Sequence, residues 1–277
     1  QQGYAGGGQP GGYTPGQQGQ TGYVGKIDEA DASTMLTQAQ SLFVNNDLDR
    51  ANEKLLGLLT SSPSFWQDCP TVAPSAALLR TKVLFKLKKF PEAQTQCSML
   101  VKQAPNTQEA AEANYYLGYC YDFYAQQDQA IDCFRKVVTS KFETDFTDDA
   151  NYYLGMNEWE RKNPVVAEDS FLKVYRSYKS SDYWGHSVWA LAQIEFEAHN
   201  YEEAERLVNE ALGDKPDHAI ADRLLFLKGE IALKLRDYDK AKTAFDMLIA
   251  QYPSSAKVTV ARNRLATLPG KAEADDR

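Results

Sequence analysis

His186, His199 and His218 are the three histidines of this chain, and Cys69, Cys97, Cys120 and Cys133 its four cysteines. An imidazole could serve as general base or metal ligand; a thiolate could serve as nucleophile, zinc ligand or half of a disulfide. Each role needs convergent partners. The cysteines form no C-x-x-C pair, and gaps of 28, 23 and 13 residues match no zinc spacing. His199 falls in the turn HNYEEA and His218 in the loop KPDHAI, where exposed side chains are expected. No HExxH helix, nucleophile elbow, Walker loop or dinucleotide fingerprint is written, so neither catalytic residue, metal nor cofactor is expected. The acids at Asp148/Asp149, Glu158/Glu160 and Glu202/Glu203 read as solvated helix faces rather than as acid–base pairs.

The chemistry left is recognition, and composition limits what is recognised. Lys and Arg number 30 against 38 Asp and Glu, a net charge of −8. That balance argues against nucleic acid or an anionic membrane surface as the main partner. No apolar run approaches the roughly 18–20 residues that span a bilayer. Residues 1–25 carry no charge and consist mainly of Gly and Gln, punctuated by Tyr4, Tyr13 and Tyr23. Such a stretch reads as a flexible tether, or as tyrosines that dock on a partner. The first residue is Gln1, which fits either a removed secretory signal or an excised piece of a longer chain.

The elements that must position any recognition surface are announced by a repeat. ANYYLG occurs at Ala113–Gly118 and again at Ala150–Gly155, 37 residues on. Small residues recur at Ala39, Thr81, Gly118, Gly155, Ala192, Gly229 and Ala266, spaced by 42 once and by 37 thereafter. A second series, Ala51, Ala93, Ala130, Ala167, Ala204 and Ala241, keeps the same spacing. Paired antiparallel helices approach closely where small side chains face each other, so Gly118 is expected opposite Ala130 and Gly155 opposite Ala167. Pro63, Pro105, Pro216 and Pro253 end second helices, and Phe142 and Lys179 hold that place in the middle units, whose second helices are expected to run longer. The extra five residues between units one and two, in SSPSFWQDCPTVAPS, form an aromatic loop. Its Phe65 and Trp66 either pack on the array or make a contact site.

L-G-x-x-Y at Leu117–Tyr121, followed by Ala130, Phe134 and a helix-ending proline in four units, resembles the tetratricopeptide repeat (TPR). The resemblance covers about residues 32–268. It implies an all-α, right-handed superhelical solenoid of six helix pairs, at about 32–73, 74–110, 111–147, 148–184, 185–221 and 222–258, with a capping helix at 259–268. On this reading the solenoid domain is 26–268, between a 1–25 tail and a 269–277 tail. The 37-residue unit and segments such as YPSSAKVTVARNRLA are similar to the bacterial envelope branch, which includes the Tol–Pal coordinator and the lipoprotein of the outer-membrane assembly machine.

In that family the first helices line an inner groove. The resemblance then implies groove residues three before, one after and four after each small site: Tyr115, Tyr119 and Asp122; Tyr152, Met156 and Trp159; Trp189, Gln193 and Phe196, with Glu160 and Glu197 beside them. Aromatic and Met side chains are usual interface anchors, and the acids favour a basic partner segment. The same stripe also reads as inter-repeat core. On the register, Cys97 faces Cys120, giving either a disulfide or two apolar fillers. The function expected is a non-catalytic scaffold or adaptor that binds a protein or peptide segment. Its setting would be a periplasmic, outer-membrane or secreted multi-protein complex. The alternatives are a self-assembling structural subunit and a cytoplasmic adaptor.

Overall fold

The computed structural model describes residues 27–213 and 219–269. The tail at 1–25, His218, Pro216 and residues 270–277 lie outside the described residues. Among the described residues there are fourteen helices and no strand. They pair as α1 (Glu29–Val44) with α2 (Leu48–Leu59), α4 (Val72–Lys86) with α5 (Phe90–Gln103), and α6 (Gln108–Phe123) with α7 (Gln127–Val138). The series continues with α8 (Thr147–Glu160) and α9 (Pro164–Ser177), α10 (Trp184–Glu197) and α11 (Tyr201–Gly213), and α12 (Ala221–Lys234) and α13 (Tyr238–Gln251). A short α3 (Phe65–Asp68) and a closing α14 (Val258–Ala266) complete it. The chain divides into two compact units, one up to Ala76 and one from Ala77, a boundary that falls within α4.

Each helix starts and stops for local reasons. Asp28, Thr107 and Asp237 accept the backbone N–H three residues on, at 2.8, 3.1 and 3.0 Å, and so cap α1, α6 and α13. Pro91 and Pro164 sit in the first turns of α5 and α9, where a missing N–H costs nothing. Every first helix from α1 to α12 ends with a residue in the left-handed region: Asn46, Lys88, Ala125, Lys162, His199 and Arg236, with φ between 55° and 65°. Around each runs the same pair of bonds. At Lys162 its own N–H donates to the Trp159 carbonyl at 2.9 Å, and the Asn163 N–H donates to Glu158 at 2.9 Å. This is the Schellman closure, which reverses the chain into the second helix.

All six alanines of the second series are fully buried. What lies nearest to the glycines is a ring from the same second helix. A Cβ on Gly118, Gly155 or Gly229 would meet the ring of Phe134, Phe171 or Phe245 at 2.8, 2.7 and 2.4 Å. The ring four residues beyond each alanine fills the space that the missing side chain leaves. In α4 and α5 the equivalent pair is Thr81 and Cys97, with the hydroxyl 3.6 Å from the sulfur. Burying one such phenyl contributes about 1.5–3 kcal/mol to its hairpin.

Several expectations change. The second helices of the middle units are not longer: α7 has 12 residues and α9 has 14, because each is followed directly by a turn. Ala266 is exposed, since no second helix follows it; Val258 and Ala261 are the buried residues of the cap. In the long loop Phe65 is wholly buried in the single turn of α3, while Trp66 is half-buried, so Phe65 is core and not a contact.

Candidate functional site

Three before Gly118 and three before Gly155 stands a tyrosine that the following unit covers. Tyr115 stacks on Phe146 with centroids 4.5 Å apart and planes at 9°. Tyr152 stacks in the same way on Tyr183, at 4.4 Å and 18°. Both partners lie 31 residues further along, at the start of the next first helix. Tyr115 and Tyr152 therefore belong to inter-unit packing and not to an open groove. The Tyr115 hydroxyl also donates to Asp149 Oδ2 at 3.0 Å.

This roof changes downstream. Thirty-one residues after Trp189 comes the buried aliphatic Ile220, and Trp189 stays half-buried, with the Arg223 guanidinium 5.7 Å from its ring centroid. After Phe226 comes Lys257, whose ammonium lies 5.1 Å from that ring. Where α6 and α8 have a stacked ring, the last two first helices have a cation.

Trp159, Trp189, Gln193 and Phe196 together line a cleft of about 310 Å³, with Phe226 and Leu227 adding apolar surface. Trp159 and Trp189 lie 5.9 Å apart at 59°. Glu197, Arg223, Glu230 and Lys257 supply its charge. Arg264 grips both carboxylate oxygens of Glu230, at 2.7 and 3.1 Å, and that pairing raises the guanidinium pKa above its ordinary value. Every wall comes from α8, α10, α12 and the start of α14, so the first helices present the surface.

The other expected residues do not converge there. Tyr119 is half-buried among Phe85, Phe90 and Tyr153, with centroids 5.6, 6.4 and 5.8 Å away. Asp122 accepts from Asn157 Nδ2 at 2.8 Å, and Glu160 from Gln127 Nε2 at 2.6 Å. Met156 packs against the core of α9 to α12. Arg223 and Lys257 escaped the sequence argument, although the 31-residue step marks position 257 as the counterpart of Phe146 and Tyr183.

Two of the acids are not solvated faces. Glu158 is 4% exposed and receives Arg135 at 2.9 Å and Asn163 at 3.1 Å. Asp149 is half-buried, and desolvation pushes its pKa up to about 6 against the Tyr115 hydrogen bond; Asp148 and Asp182 add to the rise. A second, polar cleft of about 620 Å³ includes Asp128, Arg135, Glu158 and Arg161. Its charges satisfy one another, as in Arg161 to Asp128 at 2.5 Å. Cys97 and Cys120 are free, buried thiols with different partners, the Thr81 hydroxyl and the Phe90 carbonyl at 3.7 Å, so no disulfide joins them in this structure. Burial raises the Cys97 thiol well above its usual value, Cys120 to about 12 and Cys133 to about 11, so thiolate is scarce at neutral pH. His186 lies half-buried near Tyr152 and Tyr183, and the exposed His199 shares a 3.0 Å contact with the Tyr201 hydroxyl.

Consecutive helical hairpins with one face of first helices define an all-α solenoid built from repeats. Two stretches of the array are tetratricopeptide repeats: family models of that name match residues 112–140 and 190–256. No curated protein matches this chain in sequence. Similar solved structures include Pseudomonas aeruginosa PilF, 14% identical with a TM-score of 0.62, covering 84% of this chain and 97% of that one. PilW, described as a widely conserved type IV pilus biogenesis factor, is 17% identical with a TM-score of 0.58 and covers 83% and 98%. YrrB, described as a TPR protein with an unusual peptide-binding site, is 16% identical with a TM-score of 0.57 and covers 68% and 91%.

Proposed function

We propose that this chain is a non-catalytic scaffold that holds an extended segment of a partner protein in the cleft between α8, α10 and α12. The observation that carries this reading is the half-buried pair Trp159 and Trp189, which together with Phe196 and Phe226 lines a cleft instead of lying under a stacked ring of the next unit. Large aromatic surface of this kind is what interface anchors use. The peptide-binding site named for YrrB supports the mode of binding. The setting we propose is a multi-protein complex of the bacterial cell envelope, in line with the sequence resemblance to that branch and with the pilus-biogenesis role named for PilW.

Affinity purification from the native source, with the full chain as bait, tests the reading. The Trp159→Ala/Trp189→Ala variant should lose its partner while keeping its far-ultraviolet circular dichroism. Undiminished capture by that variant would remove the cleft as the site.

A further inference from the structure

We infer that the cleft selects a partner segment in which a carboxylate stands beside an apolar side chain, so its ligand is acidic where the sequence pointed to a basic one. The inference rests on the cleft being a segment-binding site and concerns the chemistry of what enters it.

The four charged groups of the cleft are not equivalent. Glu230 is already neutralised by the two-pronged contact from Arg264. Among the described residues neither Arg223 nor Lys257 makes an ion pair; both are exposed, and each lies over a ring that lines the cleft. Glu197 is the one acid of the set without such a partner, which leaves two cations against one anion. A cation over a ring face at an exposed site gains only about 0.5–1 kcal/mol, and its N–H donors remain directed outward. A carboxylate can therefore take those donors without displacing either side chain. Arg223 offers a planar fork that matches a carboxylate in two-point fashion, and Lys257 a compact positive charge beside it. Because both cations rest on the rings that would receive an apolar side chain, one short segment meets both demands at once. Elsewhere the chain is acidic, with a net charge of −8. An acidic segment is repelled from most of the surface and attracted here, which adds selectivity to affinity.

The test is selection from a random peptide library, displayed as internal segments without free ends, on the immobilised full chain. Arg223→Gln/Lys257→Gln and Trp189→Ala serve as comparison baits. Enriched peptides should place Asp or Glu within about two residues of an aromatic or Leu. They should weaken at least roughly tenfold on the Arg223→Gln/Lys257→Gln bait and bind less well as salt rises. Enrichment of Lys- or Arg-bearing peptides that need Trp189 but ignore the loss of both cations would overturn the acidic ligand and leave the cleft intact. Peptides that bind Trp189→Ala as well as the parent, or no enrichment at all, would overturn the cleft itself and the inference with it.

Discussion

Sixteen residues after each small residue of a first helix comes the side chain of the second helix that answers it. Where the first is glycine the second is phenylalanine, as at Gly118/Phe134, Gly155/Phe171 and Gly229/Phe245. Where the first is larger the second shrinks, as at Ala39/Leu55, Thr81/Cys97 and Ala192/Val208. Volume is thus conserved across the contact, which close-packed interiors require. Gly155→Ala should cost about 1–3 kcal/mol by overpacking against Phe171. Adding Phe171→Leu should recover part of that loss, and a double-mutant cycle by urea unfolding measures the coupling. Gly57→Ala is the contrast: nothing lies within 4 Å of its Cβ position in α2, so it should gain about 0.5–1 kcal/mol. Additive effects at 155 and 171 would refute the pairing.

Asp149 carries the pH argument. Its folded pKa, about 6, lies above the unfolded carboxylate value, so the folded chain binds its proton more tightly. The stability this confers is fully present below about pH 4 and is lost as pH rises through about 6. In Asp149→Asn that loss disappears, while an amide oxygen can still accept from Tyr115. The stability of the variant relative to the parent should climb across this window and then level off. A flat difference would mean that Asp149 is solvated.

At the scale of elements, the hairpin turn is built without glycine at its left-handed position. Lys, Ala, His and Arg at φ near 60° each carry a Cβ penalty of about 1–2 kcal/mol, which only Asn46 eases by its short polar side chain. The Schellman bonds persist because the two helices they join are buried against each other. Ala125→Gly relieves that penalty at an exposed position and should raise the melting temperature by a few degrees, a net gain of roughly 0.5–1 kcal/mol after the entropy of glycine. A lower melting temperature would show that the turn is held in some other way. These turns were legible as turns, and their backbone sign was not, since no glycine advertised it.

At the scale of the whole molecule, helices pack mainly on their neighbours in the chain. Stability should then be a sum of units and interfaces, with local opening possible. The buried thiols report on this. Gly118→Ala should speed the reaction of Cys120 and Cys133 with Ellman's reagent, as located by mass spectrometry. Gly229→Ala, with its own clash against Phe245 at 2.4 Å, should leave them protected. Equal acceleration by both would mean that the array opens all at once.

The period, the pairing of helices and the identity of the packing sites were legible in the sequence, because each depends on about 37 contiguous residues whose small and apolar positions repeat. The open surface was not. Tyr115, Tyr152, Trp189 and Phe226 occupy the same register, yet the first two lie under a ring and the last two beneath a cation. Residue type states what a side chain would gain by burial; whether a neighbour from the next hairpin arrives to bury it is decided only when the hairpins stack.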